Sequence, residues 1–470
     1  MRRAVTGFVA MSAATLLAQV IGFFVLAVIA RRLGPDGLGS YSFALNLAGY
    51  FAIPANFGVT ALATRELARD PERARPLLGE VMVLQAALCA VPYVLLVALA
   101  PVLAADQASR EIIPIVGLTF VLEAASLAFV LFGFQRLGAL AVARVAGAVT
   151  FAVLTVLFVG EGDTVPLSWI HLAGVAATSA ITAVAVLRMA GRPVVTVGVR
   201  DLVRRFRVGV PLGLVGVMIT VYYTADSVML GYLKDTETVG QYAVAYRIPL
   251  AILAFAALWG SVLLPHFSAV AQRSGREVSE QIGYFASVAL AVSMPMLAGA
   301  LIVGEQLIPG LFGADFERAA TPFVVLMFAA ALVPFSINWG TGAIALGDER
   351  HQAIAVTLGA ALNVGANFAV IPAYGMTGAA ATTVAAEVVV FAYVLVRVRR
   401  LVGDPPLDLG RIARAAAATA VMAAVLLVVV PEGWTAGTKV VIGAAVWALC
   451  AAPLRVIEPA ELRKLLTRAA

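Results

Sequence analysis

The chain has 470 residues, of which 62% are hydrophobic and 13% charged, with a mean hydropathy of +0.97. A soluble domain carries about 25% charged residues, so the solvent for most of this chain is lipid and a soluble enzyme is excluded. The net charge of +6 does not point to nucleic acid, because the basic residues sit between apolar segments with no aromatic-interleaved basic surface around them.

Met1-Arg2-Arg3 leads into a charge-free run from Ala4 to Ala30. At 27 residues it exceeds the roughly 7–15 of a signal-peptide core. A second span follows at once, so the run is expected to be a retained first helix. A helix needs about 20 apolar residues to cross the hydrocarbon. On that ruler fourteen spans are predicted, roughly 4–30, 38–64, 81–105, 112–135, 142–160, 165–187, 208–233, 239–264, 281–304, 320–346, 352–371, 376–396, 413–430 and 438–454. The fold class is an all-α polytopic membrane protein.

Charge tests the count. With both termini and every second loop in the cytoplasm, 26 lysines and arginines fall inside and six outside (Arg31, Arg32, Arg110, Lys234, Arg318, Lys439), leaving Arg247 within a span. That asymmetry is the positive-inside rule. It predicts a multi-pass protein of the cytoplasmic membrane with both termini cytoplasmic. Its centre is the stretch holding Arg188, Arg192, Arg200, Arg204, Arg205 and Arg207 against the single acid Asp201. The expected organisation is a six-helix lobe over 1–190, a basic linker over 191–207, a second six-helix lobe over 208–400, and two further helices with a tail over 401–470.

An internal repeat supports two lobes. Gly39-Ser40-Tyr41 and Gly240-Gln241-Tyr242 each place Gly-x-Tyr at the start of a span. Six spans separate the copies, so both enter the membrane from the same side, as parallel repeats about an axis along the membrane normal do.

Two stretches carry a resemblance. The first is Ala30-Arg31-Arg32-Leu33-Gly34-Pro35-Asp36-Gly37-Leu38-Gly39-Ser40-Tyr41-Ser42 with Ala63-Thr64-Arg65-Glu66-Leu67-Ala68. The second is Asn363-x3-Asn367-x3-Ile371-Pro372-x-Tyr374-Gly375-x2-Gly378-Ala379-Ala380. They resemble bacterial polysaccharide flippases, of the superfamily that also holds multidrug and toxin extruders and lipid II flippases. The resemblance implies two six-helix bundles plus two helices. It also implies alternating access that moves a polyprenyl-diphosphate-linked oligosaccharide between leaflets, with a glycan polymerase and glycosyltransferases as partners. In the second stretch Pro372 and Gly375 are expected to make a turn, and Gly378-Ala379-Ala380 a close helix contact.

Four ionisable residues lie well inside spans: Glu123, Asp226, Arg247 and Glu387. Each costs roughly 2.5–3.5 kcal/mol at a helix centre, so a protein interior or a hydrated cavity must receive them. Asp226 and Arg247 sit at similar depth on neighbouring spans. They are read either as a structural ion pair or with Arg247 as a diphosphate ligand, since a guanidinium suits bidentate phosphate contact. Glu123 and Glu387 are candidate coupling groups or buried neutral acids. Arg144 begins a span and either snorkels or binds substrate; Arg31, Arg32 and Arg65 suit cavity mouths or solvated loops. Asn46, Asn56, Asn338, Asn363 and Asn367 are expected to bind helix to helix.

His171, His266 and His351 have no metal-ligand spacing, so no metal or cofactor is expected. No lysine follows a Gly-x4-Gly, which removes a built-in ATPase, and the short outer loops argue against a catalytic domain. A cation-coupled extruder is the alternative within the fold, but its expected first-span carboxylate is missing from 4–30. A lipid II flippase remains a further alternative, although the first span has no arginine. A membrane scaffold for glycan synthesis is the reading outside transport.

Overall fold

In hydrocarbon each backbone N–H and C=O must be satisfied within its own segment or a closed barrel, and the long apolar runs of this chain take the helical solution. The computed structural model describes residues 2–54, 57–195, 198–431, 433–456 and 458, and no strand occurs among them. Asn56 and Lys464, with the tail expected to be cytoplasmic, lie outside the described residues. The helices are α1 (Arg2–Ala52), α2 (Val59–Arg69), α3 (Ala74–Leu103), α4 (Gln107–Ala125), α5 (Phe129–Gly133), α6 (Leu137–Phe158) and α7 (Thr164–Ala190). They continue with α8 (Val199–Leu233), α9 (Thr236–Ala271), α10 (Gly275–Phe312), α11 (Ala320–Ala345), α12 (Glu349–Val402), α13 (Leu409–Ala424) and α14 (Ala436–Ala451).

Ten helical stretches are long and apolar enough to cross a membrane. Two of them, α1 and α12, have 51 and 54 residues, which at 1.5 Å per residue is about twice the length one pass requires. Each leaves helical geometry near its middle, at Gly34 (φ 66°) and Gly375 (φ 56°), and so supplies two passes. With α8 and α14, every expected span has its helix. The protein is a multi-pass membrane protein.

Two spans expected to be continuous are broken. The run 38–64 stops at Ala52 and resumes at Val59, across Pro54 and a left-handed Gly58 (φ 70°). The run 112–135 is interrupted between α4 and α5, where Leu127 takes φ 53°. No glycine or proline marks that second break. It is tertiary packing that decides it, since Leu127, Phe129, Val130 and Leu131 are buried against Leu67 of α2 and Leu77 of α3.

The chain forms two units, Met1–Ala243 and Val244–Ala470, the division falling inside α9. The basic stretch thus lies within the first unit, where residues 191–195 lie along α3: the Val194 amide donates to the Arg75 carbonyl at 3.1 Å. The segment after α12 treats α10 in the same way, because the Pro406 carbonyl occupies the space a side chain at position 283 would need, as the Val194 carbonyl does at position 79. In the first unit the core gathers α2, α3, α5 and α7; in the second it is aromatic, with Phe267, Phe285 and Trp339 buried together.

Candidate functional site: a polar cavity between broken helices

Helix breaks at membrane depth are tolerated where the freed backbone lines a cavity or is buried in protein. Both breaks in the first unit border one cavity of about 670 Å3. Its charged lining is Arg65 from α2, Glu123 from α4 and Arg144 from α6, brought together from positions up to 79 residues apart. The hydroxyls of Thr64, Ser126, Thr178, Ser179 and Thr182 complete its polar wall.

All three charged side chains are accessible. Glu123 and Arg144 attract one another, with no direct ion pair between them among the described residues. Arg144 donates instead to Thr15 Oγ1 at 3.3 Å. Ser126 Oγ donates to the Glu123 carbonyl at 2.6 Å, closing the end of α4 where the helix stops. Two guanidiniums against one carboxylate leave the pocket cationic. An anion entering it meets guanidinium and hydroxyl donors held on three different helices.

Gln85 of α3 also lines this cavity. It is 3% exposed, and its Oε1 has no hydrogen-bond partner among the described residues. A lone glutamine in an apolar span gave no signal in the sequence. The hydroxyls of α7 did leave one, because Thr178 and Thr182 are spaced i, i+4 and so share a face.

The other expected site residues go elsewhere. Arg32 Nη1 donates to the carbonyls of Thr155 (2.9 Å), Val156 (3.0 Å) and Val159 (2.5 Å), holding the end of α6 as a cation holds helix C-termini. Arg31 beside it is exposed. Asp226 of α8 is buried and accepts from Tyr242 Oη at 2.8 Å. Arg247 is half-buried in the second unit, and Glu387 of α12 is buried there; the pairing of Asp226 with Arg247 stays an expectation.

Within α12 the asparagines tie its two halves together across Gly375. Asn363 Nδ2 donates to Thr383 Oγ1 at 3.3 Å, Asn367 Nδ2 to Asn363 Oδ1 at 3.3 Å, and Thr382 Oγ1 to Asn367 Oδ1. Asn338 Nδ2 donates to the Ile282 carbonyl at 3.0 Å, joining α11 to α10. His171 contacts Tyr41 Oη at 2.8 Å and His351 contacts Asp348, in different parts of the chain. A second, apolar cavity of about 390 Å3 lies in the second unit among Ile252, Met296, Met327, Leu426 and Trp447. Lys439 at its edge donates to Gln306 Oε1 at 2.8 Å.

Two helical units, membrane helices broken beside a cationic pocket and two appended helices make up a fold that solved flippase and multidrug transporter structures share. The chain superposes over 94% of its length on the lipid II flippase MurJ in an inward closed conformation, covering 98% of that chain with a TM-score of 0.79 at 14% identity. It also superposes over 85% of its length on an inward-facing multidrug resistance transporter of the MATE family, covering 98% of that chain with a TM-score of 0.59 at 17% identity. A MOP superfamily transporter from Pyrococcus furiosus gives 0.54 at 18% identity, covering 84% of this chain and 96% of that one. At such identities these likenesses speak to the fold.

Residues 4–271 match the family described as polysaccharide biosynthesis protein, and the chain belongs to that family. It is also 25% identical, over 77% of its length and 76% of the relative's, to a Haloferax volcanii protein named probable low-salt glycan biosynthesis flippase Agl15.

Proposed function

We propose that the protein flips a polyprenyl-diphosphate-linked oligosaccharide, a precursor of surface polysaccharide, across the cytoplasmic membrane by alternating access. The observation that carries this reading is the convergence of Arg65, Arg144 and Glu123 on a hydroxyl-lined cavity, in a chain that belongs to a polysaccharide biosynthesis family and is similar to a glycan biosynthesis flippase.

The chemistry fits in parts. A guanidinium binds phosphate through two parallel N–H bonds, so Arg65 and Arg144 take the diphosphate. Serine and threonine hydroxyls both donate and accept, which suits the sugar residues next to it. Glu123 draws on Arg144 when the pocket is empty, and an incoming diphosphate competes for the same cation; Glu123 is therefore the coupling candidate in this unit, as Glu387 is in the other. Within the second unit Arg247 is a phosphate-ligand candidate of its own, with Asp226 its neighbour in span order. Arg31 and Arg32 stay at the outer mouth, Arg32 serving the end of α6. Both termini are cytoplasmic in this reading, and a polymerase and glycosyltransferases work on the same lipid-linked glycan.

The test is complementation of a deletion strain with Arg65→Ala, Arg144→Ala and Arg247→Ala variants. Surface glycan and undecaprenyl-linked glycan are measured alongside the amount of inserted protein. The expected outcome is loss of surface glycan and build-up of the lipid-linked precursor at wild-type protein levels. Normal export by an Arg65→Ala/Arg144→Ala double variant would sink the reading. Drug sensitivity in the deletion strain without any glycan defect would favour the extruder.

A further inference from the structure

The basic stretch is divided between two tasks by the geometry of α8. Arg205 faces inward: its guanidinium reaches Glu66 Oε1 of α2 at 3.1 Å and Glu80 Oε2 of α3 at 2.5 Å, with 10% of the side chain exposed. Glu80 also meets Arg73 at 3.6 Å. Glu66 and Glu80 are thereby engaged.

Arg200, Arg204 and Arg207 recur at i, i+4 and i+7, a spacing that places them in one stripe on the opposite side of the helix. All three are exposed, and none makes a hydrogen bond or ion pair among the described residues. They line a surface cavity of about 480 Å3 whose remaining lining is Val203 and Val208. Those valines are 44% and 55% exposed. Asp201, next to Arg200 in sequence, occupies the first turn of α8, where the helix dipole favours a negative charge. It offsets at most one of the three cations.

Three guanidiniums interleaved with exposed valines, at the start of a helix expected to cross the membrane, suit the boundary between headgroups and acyl chains. Arginine stems and valines suit the apolar side, and the guanidiniums reach phosphate. Clusters of basic residues beside a membrane helix recognise anionic lipid. We infer that the Arg200–Arg204–Arg207 face of α8 is a binding site for the headgroups of anionic phospholipids, separate from the cavity that receives the transported molecule. Such a site holds the start of α8 at the membrane surface while Arg205 ties the same turn to α2 and α3. The inference depends on α8 crossing the membrane and not on which molecule is flipped.

The experiment uses full-length protein in a neutral detergent, titrated with phosphatidylglycerol or with phosphatidylcholine, with bound lipid counted by native mass spectrometry. A basic residue near an anionic surface contributes about a fivefold factor. The Arg200→Gln/Arg204→Gln/Arg207→Gln variant is therefore expected to bind phosphatidylglycerol at least about tenfold more weakly, with phosphatidylcholine binding unchanged. Binding to the wild-type protein is expected to weaken as sodium chloride is raised. Equal phosphatidylglycerol binding by variant and wild type overturns the inference, as does displacement of the lipid by inorganic phosphate alone, which would make this a free-anion site. If the triple variant is not recovered, the wild-type protein decides: phosphatidylglycerol binding indifferent to salt, or no stronger than that of phosphatidylcholine, overturns it as well.

Discussion

Gly39 and Gly240 meet backbone to backbone. A Cβ on Gly39 would lie 2.9 Å from the Gly240 amide nitrogen and would collide with the Thr236 carbonyl. A Cβ on Gly240 would lie 3.0 Å from the Gly39 nitrogen and would collide with the Pro35 carbonyl. Each glycine faces the residue four before the other, so the contact is reciprocal, as a local two-fold requires. The two Gly-x-Tyr copies therefore pack on one another, and their tyrosines point to separate partners, Tyr41 to His171 and Tyr242 to Asp226.

The first prediction follows from that contact. No rotamer relieves a Cβ placed against a carbonyl, so Gly39→Val or Gly240→Val must separate the helices. Overpacking a well-packed site costs about 1–3 kcal/mol, and a backbone clash falls at the upper end. A lower melting temperature and less monodisperse protein on size-exclusion chromatography are expected from either variant. A wild-type melting curve for both would mean that the helices separate there without cost.

Arg205 supports the second. Breaking a buried pair by removing one partner costs about 3–5 kcal/mol, less where water reaches it; with Glu66 partly exposed, roughly 2 kcal/mol is expected for Arg205→Ala. Arg205→Lys should recover only part of the loss, because an ammonium lacks the planar fork that serves two carboxylates. Thermal unfolding of the two variants checks the order.

The third concerns Glu123 and Arg144. Since they act on one another, their substitutions are expected to be non-additive. Glu123→Gln and Arg144→Ala should each reduce glycan export, and the double variant should be no worse than Arg144→Ala alone. Independent, multiplying losses would mean that the two side chains do not share a task.

A fourth concerns α12. Asn367→Leu removes the acceptor for Thr382 and the donor to Asn363 at once. Net contributions of about 1 kcal/mol per hydrogen bond and a buried hydroxyl left without that acceptor give an expected loss of about 2–3 kcal/mol. Asn367→Leu/Thr382→Val, which removes both partners, should be less destabilised than the single variant. The paired melting temperatures test this.

Much of this architecture was legible in the chain itself. Hydrocarbon accepts only self-satisfied backbone, so apolar length and the placement of arginines announce the number of spans, and every predicted span has its helix. The Gly-x-Tyr pair and the asparagine motif were visible as patterns too, because close backbone contact and buried amides each demand particular residue types. Glu123 stands out because charge inside an apolar run is rare, whereas Arg65 and Arg144 are legible only as cations at span ends.

Tertiary structure alone decided which of them meet. Arg65 and Arg144 are 79 residues apart in sequence and share a cavity that both helix breaks of the first unit border. The break at Leu127 has no local signal, being imposed by the burial of Leu127, Phe129 and Val130 against α2 and α3. By sequence Arg32 suits a cavity mouth or a solvated loop and Arg205 a basic cytoplasmic linker, yet one serves carbonyls of α6 and the other carboxylates of α2 and α3. Composition determined the solvent, the spans and the supply of charge, because those depend on each residue's own transfer free energy. The pairing of charges depends on which helices approach, and that is a property of packing across the whole unit.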